Sequence, residues 1–150
     1  MKLKDFDFRI WDGKKYINNI KGGVYIHKIN DHIKCLNRNQ DCYDYEFELD
    51  DLDNSNLEIE LFTGLYDKNG KKIYEGDILE YEALEELYHI TRDNTYKMFK
   101  IEIFSKNFNN KIYKRKAEPD ISFLKVFKSE KNMKVIGNIH ENADLLVVKE

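Results

Sequence analysis

The sequence predicts a mostly β fold, built as a small barrel or as two packed antiparallel sheets with one or two short helices. Three observations support this fold class. Apolar and polar residues alternate in several segments, these segments are short, and Gly or Asn turns separate them. The 150 residues include 13% aromatic and 35% charged side chains, which is typical of one soluble globular domain over residues 1–150.

The order of the predicted elements follows from this alternation. Strands are predicted over residues 6–10, 15–20, 24–29, 43–49, 57–66, 71–74, 78–81, 96–104, 111–116, 121–127 and 135–139. Residues 32–36 fit the end of a strand or one helical turn, and residues 82–90 fit a helix or a strand equally well. One helical turn is predicted over residues 143–146, with Asn142 as its N-cap.

Glycines mark the turns between these strands. Asp12-Gly13 has the residue types of a two-residue type I′ hairpin turn, and Asn69-Gly70 is a strong short-range signal of a hairpin. Three glycines recur every six residues in the middle of the chain, where positive φ or a close backbone approach is expected: Gly64, Gly70 and Gly76. Between and after them, three apolar residues are predicted to face the core: Leu65, Ile73 and Ile78.

Several classes of protein are excluded by what the sequence lacks. No segment approaches the ~20 apolar residues of a membrane helix, and the first residues do not resemble a signal peptide. A cytosolic location without a membrane partner is therefore expected. Two cysteines are too few for a disulfide framework.

A zinc site is the first candidate for chemistry, because His27, His32, Cys35 and Cys42 are ligand types that zinc prefers. Their spacing is irregular and no Cys-x-x-Cys pair is present. Buried thiols and surface histidines are therefore the favoured interpretation, and no metal or other cofactor is predicted.

Motifs of catalysis are also absent. Five residues, not four, separate Gly64 from Gly70, and a lysine follows Lys71 where a phosphate-binding loop needs Ser or Thr. None of the serines lies in a Gly-x-Ser-x-Gly motif, including Ser55, Ser105, Ser122 and Ser129. The sequence therefore predicts a protein that is not an enzyme.

Charge is distributed unevenly, although the net charge is only −3. Residues 41–62 contain nine acidic residues and no Lys or Arg. Part of this segment is predicted to form a face for a protein partner: Asp44, Glu46, Glu48, Glu58 and Glu60. A later stretch mixes basic and aromatic residues that could contact nucleic acid: Lys106, Phe108, Lys111, Tyr113, Lys114, Arg115 and Lys116.

Each charged segment also has an ordinary structural interpretation. An acidic strand face is often simply solvated, and lysines often protect a sheet edge from unwanted pairing. A third interpretation is self-association, in which the acidic and basic segments neutralise each other within the fold or across a homo-oligomer.

Three segments stand out together: Phe8-Arg9-Ile10-Trp11-Asp12, the long block over residues 62–78, and Val135 to Asn142 near the end. Together these segments resemble the YopX family of phage and prophage proteins. The stretch over residues 82–134 lies outside the resemblance. The resemblance implies a mostly β fold and a mobile-element origin. It implies no established biochemical activity and supplies no catalytic residues.

The predicted function is therefore that of an accessory protein of a phage or prophage in the bacterial host cytosol. It is expected to act on a host or phage protein, or on itself, by binding or self-assembly. Nucleic-acid association through residues 106–116 is the alternative, and an enzyme with an unrecognised site comes third.

Overall fold

A computed structural model of the chain describes residues 1–17, 24–38, 49–51, 56–93, 95 and 98–147. Its strands are β1 (Phe8–Trp11), β2 (Val24–Ile29), β3 (His32–Arg38), β4 (Leu49–Asp51), β5 (Glu58–Tyr66), β6 (Lys72–Tyr74), β7 (Asp77–Tyr81), β8 (Glu86–Arg92), β9 (Phe99–Lys106), β10 (Ile112–Lys114) and β11 (Lys134–Asn138). The helices are α1 (Ser122–Val126) and α2 (Ser129–Asn132), with 3₁₀ turns at Leu3–Asp5, Glu82–Leu84 and Ala143–Leu146. The mostly β prediction with two short helices is confirmed.

Contacts group the chain into two compact units. The larger unit contains Met1–Asp7 and Leu61–Glu150, and the smaller unit contains Phe8–Glu60. The organisation as one domain therefore stays a prediction.

A five-stranded antiparallel sheet dominates the larger unit, in the order β10-β9-β8-β7-β11. Its edge strands, β10 and β11, are not paired with each other in the described part of the chain, so the sheet is open. The barrel alternative is therefore wrong. Closure needs the two edges to hydrogen-bond to each other, whereas β10 contributes only three residues and β11 pairs with β7.

Both faces of this sheet are covered, so neighbouring residues along a strand are buried on opposite sides. On one face Tyr88, Ile90 and Ile101 are fully buried in a cluster with Leu124 of α1 and Met133. On the other face a smaller cluster is formed by Ile78, Leu87, Phe104 and Leu146. Strands covered on both faces carry continuous apolar runs, which explains the sequence Ile78-Leu79 in β7.

The β5–β6 hairpin packs on the first of these clusters through Ile73, which is fully buried, with Leu65 beside it. Strand β5 pairs with β6 in an antiparallel arrangement. Gly64 has φ +86°, where the register between β5 and β6 shifts. The prediction that Leu65, Ile73 and Ile78 face the core is confirmed. Ile73 and Ile78 are buried, and Leu65 is partly buried against the first cluster.

The smaller unit contains a second antiparallel sheet of order β2-β3-β4. Strand β3 resolves the choice at residues 32–36, because His32 pairs with Ile29 and the strand continues to Arg38. Ile10, Ile17 and Cys35 form the core of this unit. The Gly22-Gly23 break and most of the predicted strand over 43–49 lie outside the described residues.

The segment over residues 82–90 is a strand, not a helix. A 3₁₀ turn at Glu82–Leu84 ends at Glu85, which has φ +54°, and β8 begins at once. The spacing that resembles a helical stripe arises because Leu87 and Tyr88 are buried on opposite faces of the sheet.

The strand predicted over residues 121–127 is wrong, because α1 occupies this segment. The Asp120 carboxylate accepts hydrogen bonds from the Ser122 amide (2.8 Å) and from the Ser122 hydroxyl, and these bonds support the first turn. Phe123 and Leu124 then pack against the sheet, and Lys128, with φ +52°, lies between α1 and α2.

The turn near the C-terminus forms as a 3₁₀ helix, but Asn142 does not cap it through its side chain. Its Oδ1 instead accepts a hydrogen bond from the Asn138 amide at 3.1 Å. A Cβ on Gly137 would overlap this Asn142 side chain, which explains why a glycine stands in β11.

Candidate functional site

The predicted basic and aromatic stretch forms the antiparallel β9–β10 hairpin at one edge of the five-stranded sheet. Lys106 pairs with Ile112, and Phe104 pairs with Lys114. Because side chains alternate along a strand, Tyr113 points to the face opposite Ile112 and Lys114. The predicted contact residues are therefore split between two faces and the hairpin tip.

The tip is a five-residue loop closed by the side chain of its first residue. Asn107 Oδ1 accepts hydrogen bonds from the amides of Asn109 (2.9 Å) and Lys111 (3.0 Å). The Asn107 amide donates to the Lys111 carbonyl at 3.0 Å, and the Asn110 amide donates to the Asn107 carbonyl at 2.9 Å. Asn110 has φ +59°, a left-handed conformation that Asn tolerates.

The loop of the β5–β6 hairpin has the same hydrogen bonds. Asp67 Oδ1 accepts from the amides of Asn69 and Lys71, both at 2.9 Å, and the Asp67 amide donates to the Lys71 carbonyl at 2.8 Å. Gly70, with φ +76°, donates to the Asp67 carbonyl at 3.0 Å. The hairpin predicted at 69–70 is therefore confirmed, with a five-residue loop that the Asp67 carboxylate stabilises.

The hairpin predicted at 12–13 is also longer than two residues. Trp11 pairs with Tyr16, and the Asp12 carboxylate accepts hydrogen bonds from the amides of Lys14 (2.7 Å) and Lys15 (2.8 Å). These two hydrogen bonds lower the pKa of Asp12, and the bond from the Lys15 amide has the largest effect. In all three loops an Asp or Asn side chain replaces backbone bonds that a tighter turn would make.

Phe108 at the tip of the β9–β10 hairpin is the most exposed aromatic residue among those described, with 97% of its surface accessible. In the matching loop of the β5–β6 hairpin, Lys68 occupies the equivalent position. Since the same loop forms with Lys there, the fold of the tip does not require an aromatic side chain at residue 108.

Two hydrogen-bond donors at this tip are also unused. In the β5–β6 loop the Lys68 amide donates to the Met133 carbonyl at 2.8 Å, and Asp67 Oδ2 accepts from the Val135 amide at 3.0 Å. The equivalent groups of the other loop are the Phe108 amide and Asn107 Nδ2, which have no partner among the described residues. One loop is thus fixed to the fold, and its counterpart presents the same positions to solvent.

Ion pairs within the fold engage two of the predicted basic contacts. Lys114 Nζ contacts Glu102 and lies 3.1 Å from Glu118, and hydrogen bonds to these two carboxylates raise the pKa of Lys114. Arg115 lies 3.2 Å from Glu86. These two side chains are therefore poor candidates for phosphate contacts.

The remaining lysines of the stretch are exposed and make no ion pair with the described residues: Lys106, Lys111 and Lys116. Lys106 differs from the other two, because it also lines a cavity of about 170 Å³ with four glutamates, Glu80, Glu82, Glu85 and Glu86. Lys111 lies at the tip, close in sequence to Phe108. The hairpin tip therefore carries an exposed aromatic ring, two open donors and nearby positive charge.

Glu102 is at the centre of a polar network behind the hairpin. Its Oε1 lies 2.7 Å from Nδ1 of His89, which is 9% exposed, and its Oε2 contacts Lys114. Burial raises the pKa of Glu102, but the hydrogen bonds from Lys114 and His89 outweigh burial and lower it overall.

Glu102→Gln is expected to reduce the free energy of unfolding by about 1 kcal/mol at pH 7. A carboxylate whose pKa is lowered in the folded state stabilises the fold above its unfolded pKa, and this stabilisation is lost as the pH falls through the folded pKa. The difference in the free energy of unfolding between the wild type and the variant should therefore become smaller below about pH 4. Urea titrations between pH 2.5 and 7 measure it, with Glu118→Gln, an exposed partner of the same lysine, as the control. A difference that is independent of pH contradicts the prediction.

The predicted acidic partner face lies only partly within the described residues. Glu60 is only 3% exposed, and it accepts a hydrogen bond from the Tyr16 hydroxyl at 2.8 Å. Arg9 lies 3.4 Å from the same carboxylate and 4.7 Å from the centre of the Tyr16 ring. Glu58 is exposed, while Asp44, Glu46 and Glu48 lie outside the described residues. Alternation alone places Glu58 and Glu60 on one face, and no sequence signal indicates that only Glu60 is buried.

The candidate zinc ligands do not come together in the described residues. Cys35 is buried, which raises the pKa of its thiol, whereas His27 and His32 are exposed. No group of three or more His, Cys, Asp or Glu residues in the described ranges could hold a metal ion. Cys42 lies outside these ranges.

Two of the described serines have structural partners. Ser129 is buried and its hydroxyl donates to the Tyr66 carbonyl at 3.1 Å, which ties α2 to β5. Ser122 donates to Asp120 at the start of α1. Ser105 is buried in β9, and Ser55 lies outside the described residues.

A search of the described helices for a membrane span finds none that is long and apolar enough.

Comparisons with known proteins place this chain in a wider group. A family model described as YopX protein matches residues 7–147. No curated protein matches the chain. The crystal structure of protein EF1440 from Enterococcus faecalis is similar, with a TM-score of 0.50 and 24% sequence identity over 95% of this chain and 98% of that chain. At this level of identity the similarity shows a common fold.

Proposed function

This chain belongs to the YopX family, and from that premise we propose that it is a phage or prophage accessory protein that acts by binding or self-assembly. It works in the cytosol of the bacterial host and performs no catalysis. The β9–β10 hairpin is the binding element of this function.

The observation that carries the proposal is the exposure of Phe108. Single exposed apolar residues are common on protein surfaces and need no explanation by themselves. Here the matching loop of the β5–β6 hairpin shows that Lys is accepted at the same position. A fully exposed aromatic ring at a projecting tip fits a binding anchor, since aromatic residues provide much of the binding energy of interfaces.

The hairpin tip also has a well-defined backbone before it meets a partner. The Asn107 side chain fixes the loop through two hydrogen bonds, and β9 pairs with β8 over its length. A loop held in place in this way loses little conformational freedom on binding, which favours affinity.

The test replaces Phe108 by Lys, the residue that the matching loop carries. The tagged wild-type protein and Phe108→Lys are used to capture partners from a lysate of the bacterial host, with quantification by mass spectrometry. The amount of any specific partner that is captured should be at least about tenfold lower with the variant than with the wild type. Light scattering of the same two proteins shows whether the partner is a second copy.

Val126→Lys is the matched control, because Val126 is another apolar side chain with high exposure, 71%, and lies on α1. This variant should capture the same partners as the wild type. Equal capture by Phe108→Lys and the wild type would remove the hairpin from the proposed function.

A further inference from the structure

We infer that the tip of the β9–β10 hairpin binds single-stranded nucleic acid, with a backbone phosphate on the Phe108 amide and Asn107 Nδ2 and a base stacked on the Phe108 ring. This inference rests on the proposed function of the same hairpin. It specifies the chemical class of the partner.

The two open donors at the tip differ from the groups at the matching tip. The β5–β6 loop offers one donor, the Lys68 amide, and one acceptor, Asp67 Oδ2, and these groups bind the carbonyl and amide of one extended segment. In the β9–β10 loop the first residue is Asn107, whose Oδ1 is used to close the loop. The group of the Asn107 side chain that remains open is therefore Nδ2. Together with the Phe108 amide it gives this loop two donors, which select a ligand with two acceptors.

A phosphodiester is such a ligand. Its two unbridged oxygens are strong acceptors and carry one negative charge, and backbone amides are common phosphate contacts. Lys111 follows within the same loop and is exposed, and Lys106 flanks its other end. A phosphate at the tip would therefore meet positive charge as well as donors.

Phe108 provides a surface on which a base can stack. Its ring is almost entirely exposed, so either face can accept a base from solvent. Stacking on an aromatic side chain suits every base, because each has a π face, and it needs an unpaired strand. The neighbouring ring and donors thus match a base and its adjacent phosphate in a single strand.

An acidic peptide is the main competing ligand, because its carboxylates also accept hydrogen bonds and attract lysines. An acidic peptide would leave the flat Phe108 ring without a matching flat surface. A nucleic acid supplies such a surface, because each nucleotide carries a flat base next to its phosphate. The observations therefore favour the nucleic acid.

Binding is measured by fluorescence anisotropy with labelled oligo-dT and oligo-U of about twelve nucleotides at low salt. The wild type should bind, and the logarithm of its affinity should fall with the logarithm of salt concentration with a slope of about −1.4 to −2.1, as two or three lysines contacting phosphates of a single strand would give. Circular dichroism checks that each variant is folded.

Two variants test the geometry. Asn107→Asp keeps the loop, because Asp67 closes the matching loop in the same way, but it replaces a donor by a carboxylate and should weaken binding at least about tenfold. Phe108→Lys adds positive charge and removes the ring. A purely electrostatic site would then bind more tightly, whereas a stacking site should bind about tenfold or more weakly. Lys131→Ala, an exposed charge change on α2, should have little effect.

Three results would overturn the inference: no oligonucleotide binding at low salt, tighter binding by Phe108→Lys, or unchanged binding by Asn107→Asp. An oligo-Glu peptide that binds as tightly as the oligonucleotide and depends on Phe108 would assign the site to acidic peptides. Loss of oligonucleotide binding with continued Phe108-dependent capture of a protein overturns this inference alone. Failure of both experiments overturns the proposed function as well.

Discussion

Replacing Asp67 by Asn is expected to lower the free energy of unfolding by about 3 kcal/mol. Asp67 is 2% exposed, and its carboxylate accepts three backbone hydrogen bonds, from Asn69, Lys71 and Val135. In the variant Oδ1 can still close the loop, but an NH₂ group replaces the acceptor for the Val135 amide. Two donors then face each other in a buried position, which costs more than the loss of one hydrogen bond. Urea titration followed by circular dichroism measures the change.

The reciprocal substitution in the other hairpin is the control. Asn107→Asp exchanges the same two functional groups at the same loop position, but the tip there is exposed and no described strand hydrogen-bonds to it. Its effect on stability should be within about 0.5 kcal/mol. Similar losses in both variants would show that the loop itself, and not the buried contact to β11, determines the cost.

Ile73→Ala is expected to lower the free energy of unfolding by about 3 kcal/mol, within the range of about 2–5 kcal/mol for large apolar residues cut to Ala in a core. Ile73 has no exposed surface, and its side chain packs from β6 into the largest apolar cluster of the larger unit. Removing its side chain leaves a cavity that the covered sheet face cannot fill without moving.

Ile59→Ala is the matched control, since it removes the same atoms from the other strand of this hairpin. Ile59 is 38% exposed, so its loss should cost less than about 1 kcal/mol. Equal losses at the two positions would mean that burial in the structure does not determine their contributions.

The strands with clear turn residues around them could be predicted from sequence. The strand over Val24–Ile29 has the bounds that its alternation indicates. The glycines at 64, 70 and 76 all have positive φ, as their position at turns predicts. These features depend on local backbone preferences, which a sequence states directly.

Segments buried on both faces could not be predicted in the same way. Both β8 and α1 contain adjacent apolar residues, Leu87-Tyr88 in the strand and Phe123-Leu124 in the helix. An apolar pair is compatible with a strand between two cores and with a helix against one. The difference is decided by which surfaces surround the segment, which are contributed by residues distant in sequence.

Charge and aromatic content led to residues 106–116 as a candidate site, and that site stays a prediction. The structure shows that these residues form the end of a hairpin in which Lys106, Phe108 and Lys111 are exposed. Sequence could not show that Lys114 and Arg115 are held by carboxylates of neighbouring strands, because those contacts depend on the register of β8, β9 and β10. Nor could it show that a second loop with the same bonds is fixed to β11.

The two matching loops also have a consequence for the order in which the larger unit folds. Each hairpin is closed by residues a few positions apart, Tyr66 with Lys72 and Lys106 with Ile112, and hairpins of this kind form within about 1–10 μs. Strand β11 must instead find β7 across a long intervening stretch of chain, so its docking carries the larger loop-closure entropy. Asp67 connects these two timescales: the carboxylate that shapes an early hairpin also binds the last strand to arrive.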